Sequence, residues 1–120
     1  MIIAVDFDGT IVEHEYPEIG KLKEGAIEML KSLQEQGHEL ILWTCRADST
    51  LEEAVVFMRE HGIEFDAVND NISTTNIFSR KVYADVYIDD RAVGYPGNWF
   101  DIPRILWRQF KIRPMGVKKQ

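Results

Sequence analysis

The residues that most constrain this chain lie at its start, where Ile-Ile-Ala-Val-Asp-Phe-Asp-Gly-Thr occupies positions 2–10. The apolar run, rich in β-branched residues, predicts a buried strand that ends in two carboxylates, Asp6 and Asp8. Alternation along an extended chain places both carboxylates on one side. Gly9 then permits a turn, and Thr10 supplies a hydroxyl. Two like charges this close are costly unless a cation or a proton neutralises them, so the segment indicates phosphate chemistry with a divalent metal.

Polar groups follow two more predicted strands. Residues 84–90, Ala-Asp-Val-Tyr-Ile-Asp-Asp, predict an apolar strand that ends in the acidic pair Asp89 and Asp90. Residues 40–44 predict a strand that ends in Thr44, and the cations Arg80 and Lys81 precede the last strand. Ligands of open parallel sheets bind beyond the carboxyl ends of the strands. We therefore expect one site to bring together Asp6, Asp8, Thr44, Asp89 and Asp90, with Lys81 nearby.

Helical and strand patterns alternate along the whole chain, which is typical of a parallel sheet covered on both faces. Apolar spacing predicts helices over residues 23–36, 49–61 and 102–110, and a short strand over 65–68. The second helix carries a capping-box pattern, Ser49-x-x-Glu52. We predict an α/β fold, a three-layer Rossmann-like sandwich with a mostly parallel central sheet, as a single domain over residues 1–120.

The order and chemistry of these segments resemble the haloacid dehalogenase (HAD) superfamily of aspartate-nucleophile phosphatases. The resemblance spans residues 2–90, and four motifs carry it in the right order. They correspond to Asp6-x-Asp8-x-Thr10, then Thr44, then Lys81, and finally the pair Asp89-Asp90. Arg80 competes with Lys81 for the third position, but the motif spacing favours Lys81.

The resemblance implies a reaction in which Asp6 attacks phosphorus and forms an aspartyl phosphate that water then hydrolyses. It implies Mg²⁺ as the cofactor, because a carboxylate and a phosphate dianion repel each other and hard oxygen ligands suit this ion. The expected metal ligands are the Asp6 carboxylate, the Asp8 backbone carbonyl, Asp89 and Asp90. Asp8 is the expected general acid and then base, with its side chain turned away from the metal.

The remaining site residues are expected to contact the substrate. Thr44 donates a hydrogen bond to a phosphoryl oxygen, and Lys81 supplies positive charge against the phosphate and Asp6. Thr10 is grouped with these substrate-binding residues. Arg46, just beyond Thr44, is a candidate for gripping a phosphate or carboxylate of the substrate, with a surface salt bridge as its alternative role.

Members of this superfamily often carry a cap domain, but here the gaps between the motifs are short. Residues 11–23 have room only for a short flap, and residues 45–80 are taken up by one helix, one strand and a loop. We therefore expect a capless enzyme with an open site. The predicted function is a Mg²⁺-dependent phosphomonoesterase acting on a small metabolite such as a sugar phosphate or nucleotide.

Two other functions stay open at this stage. An open site also suits a polynucleotide 3′-phosphatase or a phosphoprotein phosphatase, and the Asp-Asp-Arg at residues 89–91 and the basic residues 104–120 motivate that alternative. A non-catalytic module that binds Mg²⁺ or accepts a phosphoryl group, like a response-regulator receiver, is the third. Receivers carry their paired acids at the first strand and the phosphorylated Asp on a later one, the reverse of the order here.

Composition bounds the partners and the compartment. The chain has 120 residues, a net charge of −6 and one cysteine, Cys45, so no internal disulfide is possible and a cytoplasmic location is expected. No apolar stretch approaches the roughly 20 residues needed to cross a bilayer, so no membrane partner is expected. Cys45 itself is expected to be buried. Nucleic acid is a possible but less favoured partner, and an exposed site makes a homo-oligomer conceivable.

Overall fold

The computed structural model describes residues 1–113 and has an α/β architecture around one parallel sheet. The four strands are β1 (Ile2–Val5), β2 (Glu39–Leu42), β3 (Ala67–Val68) and β4 (Val86–Ile88). The helices are α1 (Ala26–Glu35), α2 (Asp48–Glu60) and α3 (Ile102–Phe110), with single 3₁₀ turns at Ser73–Thr75 and Trp99–Asp101. The strand order is β3-β2-β1-β4, and all three pairings are parallel. The predicted α/β fold with a parallel sheet is confirmed.

The two faces of the sheet are covered in different ways. Ile3 and Val5 of β1 belong to a large buried cluster that also contains residues of α1, α2 and α3. Ile2 and Ala4 point to the other face and pack in a smaller cluster with Ile72 and Val82. The predicted third layer is therefore present, and the irregular segment 69–85 forms it, most of which was predicted as a loop.

The strand order also determines where a ligand can bind. The chain leaves β1 for β2 and β3 on one side, and then returns across the sheet to place β4 on the other side of β1. Crossovers therefore diverge on either side of β1. A crevice opens at the carboxyl ends of strands at such a switch point. The segments that follow β1, β2 and β4 meet there.

The ends of the helices differ in part from the sequence prediction. The helix α3 has the predicted bounds, whereas α1 begins at Ala26 because Gly25 before it has a left-handed φ of 85°. The capping box predicted for α2 is wrong: Ala47 occupies the cap position and no side chain caps the helix. The Thr50 hydroxyl donates to the Ala47 carbonyl instead, at 2.8 Å.

The segment between β1 and α1 is the short flap expected for residues 11–23. Its base is closed by an antiparallel bridge between Val12 and Leu22 and by a hydrogen bond from the Glu13 N–H to the Lys21 carbonyl at 2.8 Å. A second bond joins the Lys23 N–H to the Ile11 carbonyl at 2.8 Å. The expectation of a capless fold is confirmed over residues 1–113. None of the helices in that range is long and apolar enough to cross a membrane.

Candidate active site

The turn after β1 carries the first two acidic residues to the edge of the sheet. The Asp6 N–H donates to the Ile88 carbonyl at 2.9 Å, so the ladder between β1 and β4 continues one residue beyond β1. The chain then folds back on itself, because the N–H groups of Thr10, Ile11 and Val12 all donate to the Phe7 carbonyl. This tight turn holds Asp6 and Asp8 at the crevice.

Three carboxylates, one that follows β1 and two that follow β4, meet at this edge of the sheet. One oxygen each of Asp6, Asp89 and Asp90 can be chosen so that all three lie within 4.8 Å of one another. Each of the three residues is half-buried. Oxygen donors at this spacing are the ligand set that a hard divalent cation such as Mg²⁺ prefers.

Thr10 connects two of these acids and is not on the cavity wall. Its hydroxyl lies 2.9 Å from Asp90 Oδ1 and 3.2 Å from Asp6 Oδ2, and it accepts the Asp90 N–H at 2.8 Å. Because Thr10 is completely buried, a substrate cannot reach it. The expectation that Thr10 binds substrate is thus corrected: its hydroxyl orients the carboxylates of Asp6 and Asp90.

Trp99 supports the same turn from below. Its indole Nε1–H donates to the Thr10 carbonyl at 2.7 Å, and the whole side chain is buried. A buried carbonyl without such a donor would be costly. Trp99 lies outside the four sequence motifs, and only the fold shows that it anchors the turn of the first motif.

Gly9 is required by the close approach of Asp90. Its φ is +91°, a conformation that residues with a side chain rarely adopt. A Cβ at this position would lie 2.5 Å from Asp90 Oδ2. The turn therefore passes directly against the acid that comes from β4.

The crowding of acids changes the proton affinity of Asp6. Burial, hydrogen bonding with Asp90 and the negative charge of Asp89 together raise the pKa of Asp6 to about 7. Burial and the charges of Asp90, Asp6 and Asp89 likewise raise the pKa of Tyr95, whose hydroxyl is buried without a hydrogen-bond partner among the described residues. The site therefore carries a negative potential that either a proton or a cation relieves.

Asp8 points away from the acidic cluster and pairs with Arg46. Asp8 Oδ2 accepts from Arg46 Nε and Asp8 Oδ1 accepts from Arg46 Nη2, both at 2.8 Å. The remaining N–H groups of Arg46 donate to the carbonyls of Pro17, Glu18 and Thr50. All five donors of the guanidinium are thus used. No N–H of the guanidinium is left for the expected grip on a substrate phosphate. The alternative salt bridge of Arg46 is present, with Asp8, but it is buried and not on the surface, because Arg46 is only 2% exposed.

Thr44 stands at the end of β2 and faces the same cavity. Its hydroxyl accepts the Arg46 N–H at 3.1 Å, so its own proton is directed elsewhere. Asn69, in a left-handed conformation with a φ of 50°, accepts the Thr44 N–H at 2.8 Å through its side chain. Asn69 lies outside the four sequence motifs. Its tolerance of the left-handed region is the signal that relates it to this position.

The cavity at this edge has a volume of about 370 Å³. The side chains that line it come from the first motif, the flap, the end of β2 and the end of β4: Asp6, Asp8, His14, Tyr16, Thr44, Cys45, Arg46, Asp89 and Arg91. The prediction of a buried Cys45 is wrong, because this residue is exposed on the cavity wall. His14, Tyr16 and Arg91 also belong to the wall, and their positions depend on loops that sequence patterns do not place.

Lys81 does not reach the cavity in this structure. Its Nζ lies 5.5 Å from the centre of the Tyr87 ring, and the side chain is exposed. Tyr87 is opposite Ala4 in the register of β1 and β4, on the face covered by segment 69–85. Within residues 1–113, Lys81 has no carboxylate within 4 Å. The structure therefore does not bring Lys81 to the acids, and its place beside them stays a prediction.

Similarity to known proteins agrees with this geometry. The model of the haloacid dehalogenase-like hydrolases matches residues 3–100. The chain belongs to that family. The structure of a conserved protein from Bacteroides thetaiotaomicron is similar to this HAD-like hydrolase, with 47% sequence identity and a TM-score of 0.82 over 93% of this chain and 92% of that one. No protein of curated function matches the chain. The resemblance stated from the motifs is confirmed, and hydrolysis is the class of reaction that the family performs.

Proposed function

We propose that this HAD-like hydrolase is a Mg²⁺-dependent phosphomonoesterase that acts on a small phosphorylated metabolite through an aspartyl phosphate on Asp6. The observation that carries the proposal is the convergence of Asp6, Asp89 and Asp90 within 4.8 Å, while the carboxylate of Asp8 faces away from them. If all four carboxylates had the same role, we would expect all of them to lie in the same cluster. Here one group is arranged for a cation and the other acid is kept apart.

The donor set at the cluster fits the ion that the family implies. Asp6, Asp89 and Asp90 supply only carboxylate oxygens, and no His or Cys lies among them. When bound there, Mg²⁺ would offset the repulsion between a carboxylate nucleophile and a phosphate dianion. The backbone carbonyl of Asp8 stays a predicted further ligand.

Asp6 and Asp8 divide the chemistry between them in this proposal. Asp6 attacks phosphorus and takes over the phosphoryl group as the leaving oxygen departs. Asp8 gives the leaving oxygen a proton, and in the second half of the reaction it removes a proton from the water that attacks the aspartyl phosphate. Asp8 is suited to this because its side chain is 12% exposed on the cavity wall and its orientation is set by Arg46.

Thr44 and Lys81 complete the phosphate site in the proposal. The Thr44 hydroxyl faces the cavity and donates to a phosphoryl oxygen. Lys81 swings from the Tyr87 ring toward the phosphate, because the dianion and three carboxylates attract a mobile cation more strongly than an exposed aromatic face does. Thr10 lies behind this site and Arg46 lies on the cavity wall, and both hold the acids in place.

Phosphate release from a panel of phosphorylated metabolites, measured with Mg²⁺ and with EDTA, tests the proposed function. We expect turnover that depends on Mg²⁺ and is strongest for small sugar phosphates or nucleotides, since a cavity of about 370 Å³ admits a ligand of that size. Activity that is unchanged by EDTA, or the absence of phosphate release from every substrate, would count against it.

A comparison of two substrates separates the small-metabolite function from the polymer alternative. A nucleoside 3′-phosphate and an oligonucleotide 3′-phosphate carry the same reacting group. We expect the mononucleotide to have a kcat/KM at least as high as that of the oligonucleotide. A marked preference for the oligonucleotide would instead favour the polynucleotide phosphatase, whose proposed basic surface includes Lys118 and Lys119, which lie outside the described residues.

The raised pKa of Asp6 predicts how stability depends on pH and Mg²⁺. The folded state holds the Asp6 proton more tightly than the unfolded chain does. The contribution of protonated Asp6 to the stability of the metal-free protein therefore falls as pH rises from about 4 to about 7. The proton and the cation compete, so Mg²⁺ should stabilise more at pH 8 than at pH 5. Thermal unfolding with Mg²⁺ or EDTA at both pH values measures this, and an equal shift at both pH values would contradict it.

A substitution of Lys81 tests its role against its neighbour. We expect Lys81→Met to lower kcat/KM by about 10²-fold, since removing one charged donor from a transition state typically costs about 3 kcal/mol. Arg80→Met is the matched control, because Arg80 is an adjacent exposed cation. Steady-state kinetics of both variants decide the matter. Equal, small effects would mean that Lys81 stays on the Tyr87 ring throughout the reaction.

A further inference from the structure

The guanidinium of Arg46 is bonded to three separate parts of the molecule at once. Two N–H groups hold both oxygens of Asp8 at 2.8 Å. One N–H donates to the Glu18 carbonyl at 2.8 Å and one to the Pro17 carbonyl at 3.2 Å, both in the flap. The last donates to the Thr50 carbonyl in α2 at 3.2 Å. A lysine in this place would offer at most three donors and could not form the paired contact with a carboxylate.

Two aromatic rings enclose the same guanidinium. Its carbon lies 5.2 Å from the centre of the Phe7 ring and 5.2 Å from the centre of the Tyr16 ring. Phe7 is completely buried next to Asp6 and Asp8, while Tyr16 is half exposed at the tip of the flap. A buried cation is stable only when its donors are satisfied and its surroundings are polarisable. Arg46 meets both conditions through the flap and the first motif together.

The flap also carries part of the cavity wall. His14 and Tyr16 line the cavity together with Asp8, and the Tyr16 ring lies beside the Arg46 guanidinium that holds Asp8. In the proposed reaction the leaving group departs on the side of Asp8, because Asp8 protonates its oxygen. The flap is therefore the part of the wall that meets the leaving group.

From these contacts we propose that Arg46 is a positioning residue that joins the flap and Asp8 into one unit. Asp8 protonates the leaving oxygen and the flap selects the leaving group, so Arg46 keeps the two at a fixed position relative to each other. The catalytic half of this statement rests on the proposed function. The mechanical half, in which Arg46 holds the flap in place, does not rest on the proposed function. A flap held in this way discriminates among leaving groups without a cap domain.

Two substrates that differ in their leaving group test the catalytic half. An alkyl phosphate needs a proton on its leaving oxygen, whereas p-nitrophenyl phosphate needs little help. We expect Arg46→Lys to lower kcat/KM, which reports the step in which the leaving group departs, by about 10²-fold for the alkyl phosphate and by less than about tenfold for the aryl phosphate. Arg59→Lys is the matched control, because Arg59 is an exposed arginine with one distant ion pair, 3.8 Å from Glu64, and it should change neither rate. Equal losses on both substrates would overturn the positioning role.

Hydrogen exchange of the flap tests the mechanical half and needs no activity. The Glu13 and Lys23 amides at the base of the flap are hydrogen-bonded in the native state. We expect the peptide covering residues 11–23 to exchange at least tenfold faster in Arg46→Lys than in the parent protein or in Arg59→Lys. Unchanged exchange would overturn the proposal.

A second variant covers the case in which Arg46→Lys does not fold. Asp8→Asn keeps the size of the side chain but replaces one carboxylate oxygen with an amide NH₂ group. This group cannot accept a hydrogen bond from Arg46, so one of the two contacts is lost. We expect the amide hydrogens of the flap to exchange faster in this variant too, and unchanged exchange would again contradict the proposal that Arg46 holds the flap. If the parent protein releases no phosphate from any substrate, the proposed function fails, while the exchange measurements still decide whether Arg46 holds the flap.

Discussion

The Asp6→Asn variant is expected to lose phosphatase activity by at least about 10³-fold while its fold is retained. An amide cannot serve as the nucleophile, and loss of a nucleophile typically removes several powers of ten from kcat. Asp70→Asn is the matched control, because it makes the same chemical change at an acid outside the cavity wall. Turnover with Mg²⁺ measures both variants. Activity of Asp6→Asn within tenfold of the parent would exclude Asp6 as the nucleophile.

The same variant should gain stability when no metal is present. The crowding that raises the pKa of Asp6 to about 7 is an unfavourable interaction of its charged form, and the amide removes that charge. Because the site is partly exposed and solvent screens it, we expect a gain of only about 1–2 kcal/mol at pH 8. Thermal unfolding in EDTA measures this. A lower midpoint than that of the parent would mean that the acids do not repel one another in the folded state.

The Gly9→Ala variant is expected to disrupt the acidic cluster and to abolish most activity. The new Cβ would lie 2.5 Å from Asp90 Oδ2, so the carboxylate of Asp90 must shift from its place in the cluster. We expect Mg²⁺ affinity to fall by at least about tenfold, which corresponds to about 1.4 kcal/mol. Activity should fall further, because the displaced turn also carries Asp6 and Asp8.

Gly97→Ala separates this clash from backbone strain. Gly97 has a similar φ of +85°, but a Cβ there would meet nothing within 4 Å. Both variants therefore pay a similar penalty for a left-handed alanine, and only Gly9→Ala moves an acid. Calorimetric titration with Mg²⁺ and thermal unfolding of both proteins measure the difference. Equal Mg²⁺ affinities in the two variants would contradict the account of Gly9.

The acidic cluster could be predicted from the sequence because it depends on a general property of parallel sheets. Asp6 and Asp89 each follow an apolar strand, and the carboxyl ends of neighbouring parallel strands meet at one edge. No side-chain detail is needed for that inference. The separation of Asp8 from the cluster was likewise expected, but its cause, the contact with Arg46, was not.

Arg46 could not be understood from its position in the sequence. Three of its five donors bind backbone carbonyls, at Pro17, Glu18 and Thr50. Any residue can supply a carbonyl, so such partners leave no trace in the amino-acid pattern. Whether those carbonyls face Arg46 depends on the path of the flap. The same reason applies to the bond between Trp99 and the Thr10 carbonyl, which joins residues 89 positions apart.

By itself the amino-acid sequence determined the class of fold, the family and the edge of the sheet where the acids meet, because alternating apolar segments and the residues at their ends encode these directly. Only the tertiary structure decided which polar groups face the cavity and which support it from behind. It buried Thr10, enclosed Arg46, left Lys81 over Tyr87 and exposed Cys45. Those outcomes follow from the paths of the flap and of segment 69–85, and irregular chain has no periodicity from which its path can be read.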